Sequence, residues 1–97
     1  MKVVIEKSTR KDKKLQATIG DRKIHFGATG YDDFTKIKDA EQRKRYIDRH
    51  KKEDHAISNL KSAGFMARHI LWNKPSVQQS VNDLNKKYTN IRFINKT

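Results

Sequence analysis

The chain has no cysteine, one proline and only four glycines in 97 residues. Without cysteine there is no disulfide and no thiolate metal site, so the fold must rest on packing and hydrogen bonds. A single proline, Pro75, and so little glycine argue against linkers or low-complexity tracts. Apolar residues are scarce too, at 34%, where about 45–50% with glycine counted is ordinary. No apolar run approaches the ~18 residues of a membrane span. The start, Met1-Lys2-Val3-Val4-Ile5-Glu6, has no apolar h-region, so no secretory signal is expected and the protein is expected inside a cell. The last shortage is of acid: 11 Asp and Glu face 23 Lys and Arg, a formal charge of +12.

So large an excess on so small a body raises self-repulsion and favours a polyanionic partner. The excess is uneven. Residues 1–30 carry 8 basic and 3 acidic side chains, residues 31–54 carry 8 and 7, and residues 55–97 carry 7 and 1. Both ends are cationic and the middle is nearly balanced. High charge with low hydropathy is also the signature of disorder. Eight aromatics (Phe26, Tyr31, Phe34, Tyr46, Phe65, Trp72, Tyr88 and Phe93) and regularly spaced aliphatics favour one folded domain over residues 1–97, since each aromatic buries about 150–250 Å².

Within it, residues 1–27 have the pattern of a β-meander. Val3 and Ile5 share one face, Leu15, Ala17 and Ile19 recur at period two, and Ile24 pairs with Phe26. Thr9 to Lys13 and Gly20-Asp21 are the turns. Residues 28–38 form a loop holding Tyr31 and Phe34. Residues 39–90 are the helical part. Asp39 caps a helix from Ala40 to about Lys52, with Tyr46, Ile47 and His50 inward. A short apolar helix spans Ser62 to Trp72. After Pro75, Ser76 caps a last helix to about Tyr88 with Val77, Val81 and Leu84 as its stripe. Residues 91–97 add an edge strand or fray. The expected fold class is α+β: a three-stranded antiparallel sheet packed against about three helices.

Two blocks carry a resemblance. One is His25-Phe26-Gly27, Gly30-Tyr31, Asp33-Phe34-Thr35, Lys38-Asp39 and Arg45-Tyr46-Ile47 with Arg49-His50-Lys51-Lys52. The other is Ala63-Gly64-Phe65 with Arg68 and Leu71-Trp72-Asn73-Lys74-Pro75-Ser76. Over about Lys7 to Leu84 the chain resembles the short, uncharacterised proteins of giant double-stranded DNA viruses of algae and amoebae. Ile37 and His55 depart from that pattern, where His and an aromatic are expected, so no role is carried to them. The resemblance implies a viral origin, in an infected cell or the virion, and brings no mechanism.

Four constellations bear on chemistry. Lys7, Arg10, Lys11, Lys13 and Lys14 surround the first turn, where five phosphate contacts would give a salt slope near −4.5, at roughly −0.9 per contact; the plainer alternative is a solvated surface. Arg45, Arg49 and Lys52 align on one helical face, as in a groove reader, but Glu41–Arg45 and Asp48–Lys52 also have the spacing of internal ion pairs. Among His25, His50, His55 and His69 no pair has metal-ligand spacing. A nuclease would recruit His25 as base with Asp32 or Asp33 on a divalent cation, although acids beside a glycine-rich turn usually cap loops. Trp72 beside Lys74 is either a stacking platform or a core anchor. The pair Gly27 and Gly30 has no Walker lysine after it.

The expected function is non-enzymatic nucleic-acid binding through backbone phosphates, DNA before RNA, with no cofactor or metal and no membrane. The expected contacts are Lys7, Arg10, Lys11, Lys13, Lys14, Arg45, Arg49, Arg68, Lys74, Lys86 and Lys87. A virion structural or interaction protein with an acidic partner is the second reading. A metal-dependent nuclease is the third.

Overall fold

A computed structural model describes residues 1–51 and 60–97. Three N-terminal strands, β1 (Lys2–Lys7), β2 (Lys13–Ile19) and β3 (Arg22–Ala28), pair antiparallel in sequence order. Val3, Ile5, Leu15, Ala17, Ile19, Ile24 and Phe26 are all buried on one face, and burial follows the apolar alternation except at Gln16, which is buried on the other face by its hydrogen bonds. The two-residue turn between β2 and β3 places Gly20 at φ 62°, a conformation glycine adopts without penalty.

The sheet departs from expectation at its edge. Residues Arg92–Asn95 form β4, which lies parallel to β1 with Lys2 opposite Arg92 and Val3 opposite Phe93. The result is a four-stranded mixed sheet of order β3-β2-β1-β4, not three antiparallel strands. Asn85 holds the new strand: its Oδ1 accepts from Phe93 N–H at 2.8 Å and its Nδ2 donates to Phe93 C=O at 3.0 Å. That side-chain amide satisfies backbone groups an edge strand otherwise leaves open.

The segment expected as a loop over residues 28–38 contains a one-turn helix, α1 (Phe34–Ile37), capped by Asp33 and ended by Lys38 at φ 56°. Asp39 caps α2 (Ala40–Arg49), whose side chain accepts from Glu41 and Gln42 N–H. None of the residues of α2 is buried, so Tyr46, Ile47 and His50 flank the core rather than fill it. The sequence pattern extends this helix to about Lys52, but it ends at Arg49, with His50 as its C-cap and Lys51 in a turn; Lys52 itself lies outside the described residues.

Ser62 caps α3 (Ala63–Met66), which runs into a π turn over Ala67–Leu71. There Trp72 N–H donates to Ala67 C=O at 3.1 Å, the i→i−5 bond that widens a helix. Ser76 then caps α4 (Val77–Lys87), which buries Ser80, Val81 and Leu84. Helix residues Phe65, Met66, Ile70, Leu71, Val81 and Leu84 form one core with the apolar sheet face. The architecture is a small α+β domain, with a radius of gyration of 12.5 Å.

Candidate nucleic-acid interface

The helices leave the other sheet face to solvent. Strand alternation puts Lys2, Val4 and Glu6 of β1 there, with Thr18 and Gln16 of β2, Lys23 and His25 of β3, and Arg92 and Ile94 of β4. The register aligns them in rows: His25, Gln16 and Glu6 in one, and Lys23, Thr18, Val4 and Ile94 in the next. Lys2, Lys23, Arg92 and Lys96 are exposed, while Val4, Glu6, Thr18, His25 and Ile94 are half-buried.

A hydrogen-bonded core fixes the centre of this face. Glu6 Oε1 accepts from Gln16 Nε2 and from Thr18 Oγ1, both at 3.1 Å. These bonds hold the Glu6 carboxyl below its usual range, helped by the positive charges of Lys23 and Lys96. Gln16 Oε1 in turn accepts from Thr9 N–H at 3.1 Å, and Ser8 Oγ lies 2.7 Å from His25 Nδ1. The turn between β1 and β2 is therefore tied onto the open face. Together they form one continuous surface on which, among the described residues, the only aromatic side chain is the His25 imidazole, held by Ser8.

The turn itself is less available than its composition implies. Arg10 forks onto Asp12, with Nε–Oδ1 at 3.1 Å and Nη2–Oδ2 at 2.8 Å, and thereby lowers the Asp12 pKa. Lys14 is half-buried and paired within the fold. Its Nζ lies 2.6 Å from Asp33 Oδ2 and also donates to the carbonyl of Tyr31. Lys7, Lys11 and Lys13 have no carboxylate partner among the described residues.

The remaining predicted contacts are dispersed. Arg45 stands 3.9 Å from Glu41 and is exposed; Arg49 is exposed at the end of α2. Lys52, the third member of their row, lies outside the described residues, as does His55. Arg68 is half-buried and donates to Trp72 C=O at 3.4 Å. Lys74 and Lys86 line a shallow depression of about 340 Å³ with Gln79, Asn82 and Asp83. Lys87 pairs with Asp83 at 3.3 Å, whose pKa is lowered first by the Asn73 amide and then by Lys87.

The residues of the nuclease reading are occupied otherwise. Asp33 Oδ1 accepts from Thr35 N–H, Thr35 Oγ1 and Lys36 N–H, its Oδ2 holds Lys14, and the residue is 3% exposed. Asp32 pairs with Lys36 at 3.4 Å, and His25 faces Ser8 across the sheet. Among the described residues no three His, Asp or Glu are grouped to hold a metal. Trp72 is buried, at 7% exposure, with its ring stacked on Tyr46 at 4.4 Å.

A second hollow, of about 290 Å³, lies beside this stack. Its wall includes Lys14, Asp33, Tyr46, Arg49 and His50. Gly27 is at its edge with φ 76°, where a Cβ would stand 2.6 Å from Leu71 Cδ1.

Sequence pattern alone does not single out Lys2, Lys23, Arg92 and Lys96. Their grouping depends on β4 docking beside β1, a contact between the two ends of the chain. The alternation of β1 and β3 marks Lys2 and Lys23 as outward, but nothing local marks Arg92 and Lys96 as their neighbours.

Residues 3–50 are similar to a family of unknown function (DUF5754). The match takes in β1 to β3, α1 and α2, and stops short of α3, α4 and β4. No curated protein matches the chain, and no solved structure does.

Proposed function

We propose that this protein binds nucleic acid without catalysis, through backbone phosphates laid across the open sheet face. The observation that carries this reading is that Lys2, Lys23, Arg92 and Lys96 are all exposed on the uncovered face, with Lys2 beside Arg92, while the Glu6 carboxylate there feels the charges of Lys23 and Lys96. Lysine and arginine at such spacing replace counterions along a phosphate backbone and gain affinity by releasing them. The described residues of the face include no Phe, Tyr or Trp to serve as a stacking platform, so base identity contributes little. Lys11, exposed in the turn, extends the surface, whereas Lys7 and Lys13 carry the strand parity of the helix-covered side. The resemblance to short giant-virus proteins supports a viral genome or transcript as the polyanion, DNA before RNA, in the infected cell or the virion.

The test is fluorescence anisotropy with duplex and single-stranded oligonucleotides over a series of salt concentrations. Four face contacts give a log–log slope of about −3.6, and engagement of Lys11 in the turn brings it to about −4.5. The double variant K23A/R92A makes the slope shallower by about 1.8. Absence of binding at low salt overturns the proposal and favours an acidic protein partner instead. A slope indifferent to K23A/R92A removes the sheet face from the interface.

A further inference from the structure

Two arginines from distant parts of the chain meet on one backbone oxygen. Arg43 of α2 donates from Nε to Trp72 C=O at 2.9 Å and to Asn73 C=O at 3.1 Å. Arg68 of the π turn donates from Nη1 to the same Trp72 oxygen at 3.4 Å. Sharing an acceptor puts the two guanidiniums within two hydrogen-bond lengths of each other. Both side chains are half-buried. Phe34 lies under the Arg43 guanidinium, 5.6 Å from its ring centroid.

No carboxylate pairs with either arginine among the described residues. The Arg68 pKa is lowered first by burial and then by the Arg43 charge. The carbonyls at the end of a helix explain one cation, since a helix C-terminus carries only about half a negative charge. They do not explain two. Holding a second full positive charge there, partly desolvated, is unfavourable unless an anion joins it. The Nε–H of Arg43 is committed to the carbonyls, which fixes the plane of its fork and leaves both its terminal NH₂ groups for a ligand. Arg68 retains its second NH₂ group. That arrangement suits an oxyanion bound by more than one arm, the geometry at which arginine excels.

We propose that Arg43 and Arg68 form a binding site for a phosphate group, separate from the sheet face. The site depends on the π turn, because the wider turn over Ala67–Leu71 ends on the Trp72 carbonyl that both arginines share. It does not rest on the nucleic-acid reading, since the two surfaces use different residues.

Trp72 is the only tryptophan, so its fluorescence reports on the site. Inorganic phosphate is titrated into the full chain at constant ionic strength held with chloride, following Trp72 emission and the melting temperature. The expected result is a saturable change in emission with a rise in melting temperature, and an affinity about tenfold lower in R68M. R68K keeps the charge but loses the fork; it also weakens phosphate, and it serves where R68M folds poorly. K23A/R92A leaves the phosphate titration unchanged, which separates this site from the sheet face. Competition by a nucleoside monophosphate identifies a small-molecule source, and competition only by a 5′-phosphorylated oligonucleotide identifies a nucleic-acid end; both support the site. An equal response to chloride, or a phosphate affinity unchanged in R68K, overturns it.

Discussion

Replacing Lys14 by Met separates a lysine that belongs to the fold from one that belongs to a ligand. Composition places Lys14 in the most basic stretch of the chain, yet its amine is 2.6 Å from Asp33 Oδ2 with side-chain exposures of 22% and 4%. Losing a hydrogen bond between charged groups costs about 1.5–3 kcal/mol, and stranding a fully buried ion costs about 3–5 kcal/mol. Asp33 keeps its three donors from Thr35 and Lys36, and the Met stem retains the apolar contacts of lysine. The lower range therefore applies, about 2 kcal/mol, which lowers the melting temperature by about 8–16 °C in a domain of this size. The double variant K14M/D33N removes the stranded charge while asparagine still caps α1, and it recovers about 1–2 kcal/mol relative to additivity. Thermal and urea melts measure the stability of K14M, D33N and the double variant, and anisotropy measures the salt slope of K14M. The slope stays at the wild-type value because Lys14 contacts no phosphate. An unchanged melting temperature with a slope shallower by about 0.9 would falsify the assignment and return Lys14 to the interface.

Other perturbations probe the remaining contacts. K11A makes the salt slope shallower by about 0.9 with little change in melting temperature, and R10A changes it less because Arg10 is forked onto Asp12. G27A places a Cβ against Leu71 Cδ1 at a φ of 76° and destabilises by about 2–4 kcal/mol; a melt within 2 °C or so of wild type contradicts the crowding. N85L strips the clamp from Phe93 and speeds amide exchange in β4, at a cost of about 1–3 kcal/mol; unchanged exchange at Phe93 would show that β4 holds through β1 alone.

The sheet was legible in the sequence as far as its pairing is local. Leu15, Ala17 and Ile19 mark a buried face by alternation, and Gly20-Asp21 marks the turn that sets the β2–β3 register. Asp39 and Ser76 are recognisable caps because a short polar acceptor stands before each periodic run. The fourth strand was legible only as an alternative to a frayed end, and its parallel pairing with β1 was not legible at all. Arg92–Asn95 is four residues long, and its partner lies at the opposite end of the chain, so no turn chemistry announces the pairing. The π turn was hidden for another reason: residues 63–71 are apolar on most sides, and the wider turn shows only in where Trp72 N–H finds its acceptor. The candidate interface was half legible. Counting charges finds a basic turn, but whether a lysine is free depends on contacts such as Lys14 with Asp33, nineteen residues apart, which no local pattern encodes.

In acid the few carboxylates matter more to stability than the many cations. Glu6, Asp12 and Asp83 all have carboxyls held below their ordinary range: Glu6 by Gln16 and Thr18, Asp12 by Arg10, and Asp83 by Asn73 and Lys87. The unfolded chain takes up these protons at higher pH than the folded one does. Their stabilisation is therefore complete above the ordinary carboxylate range and is lost as pH falls through it to the lower folded values. Protonation also removes negative charge from a body at +12, adding repulsion to the loss of partners. Melting temperature consequently falls steadily from about pH 5 to about pH 2. E6Q keeps an acceptor for Gln16 and Thr18, and it flattens part of this dependence while strengthening nucleic-acid binding at neutral pH, because the only carboxylate at the centre of the open face is gone. A melting temperature flat across that range, or E6Q binding no tighter than wild type, would mean that Glu6 neither anchors the sheet face nor tempers its charge.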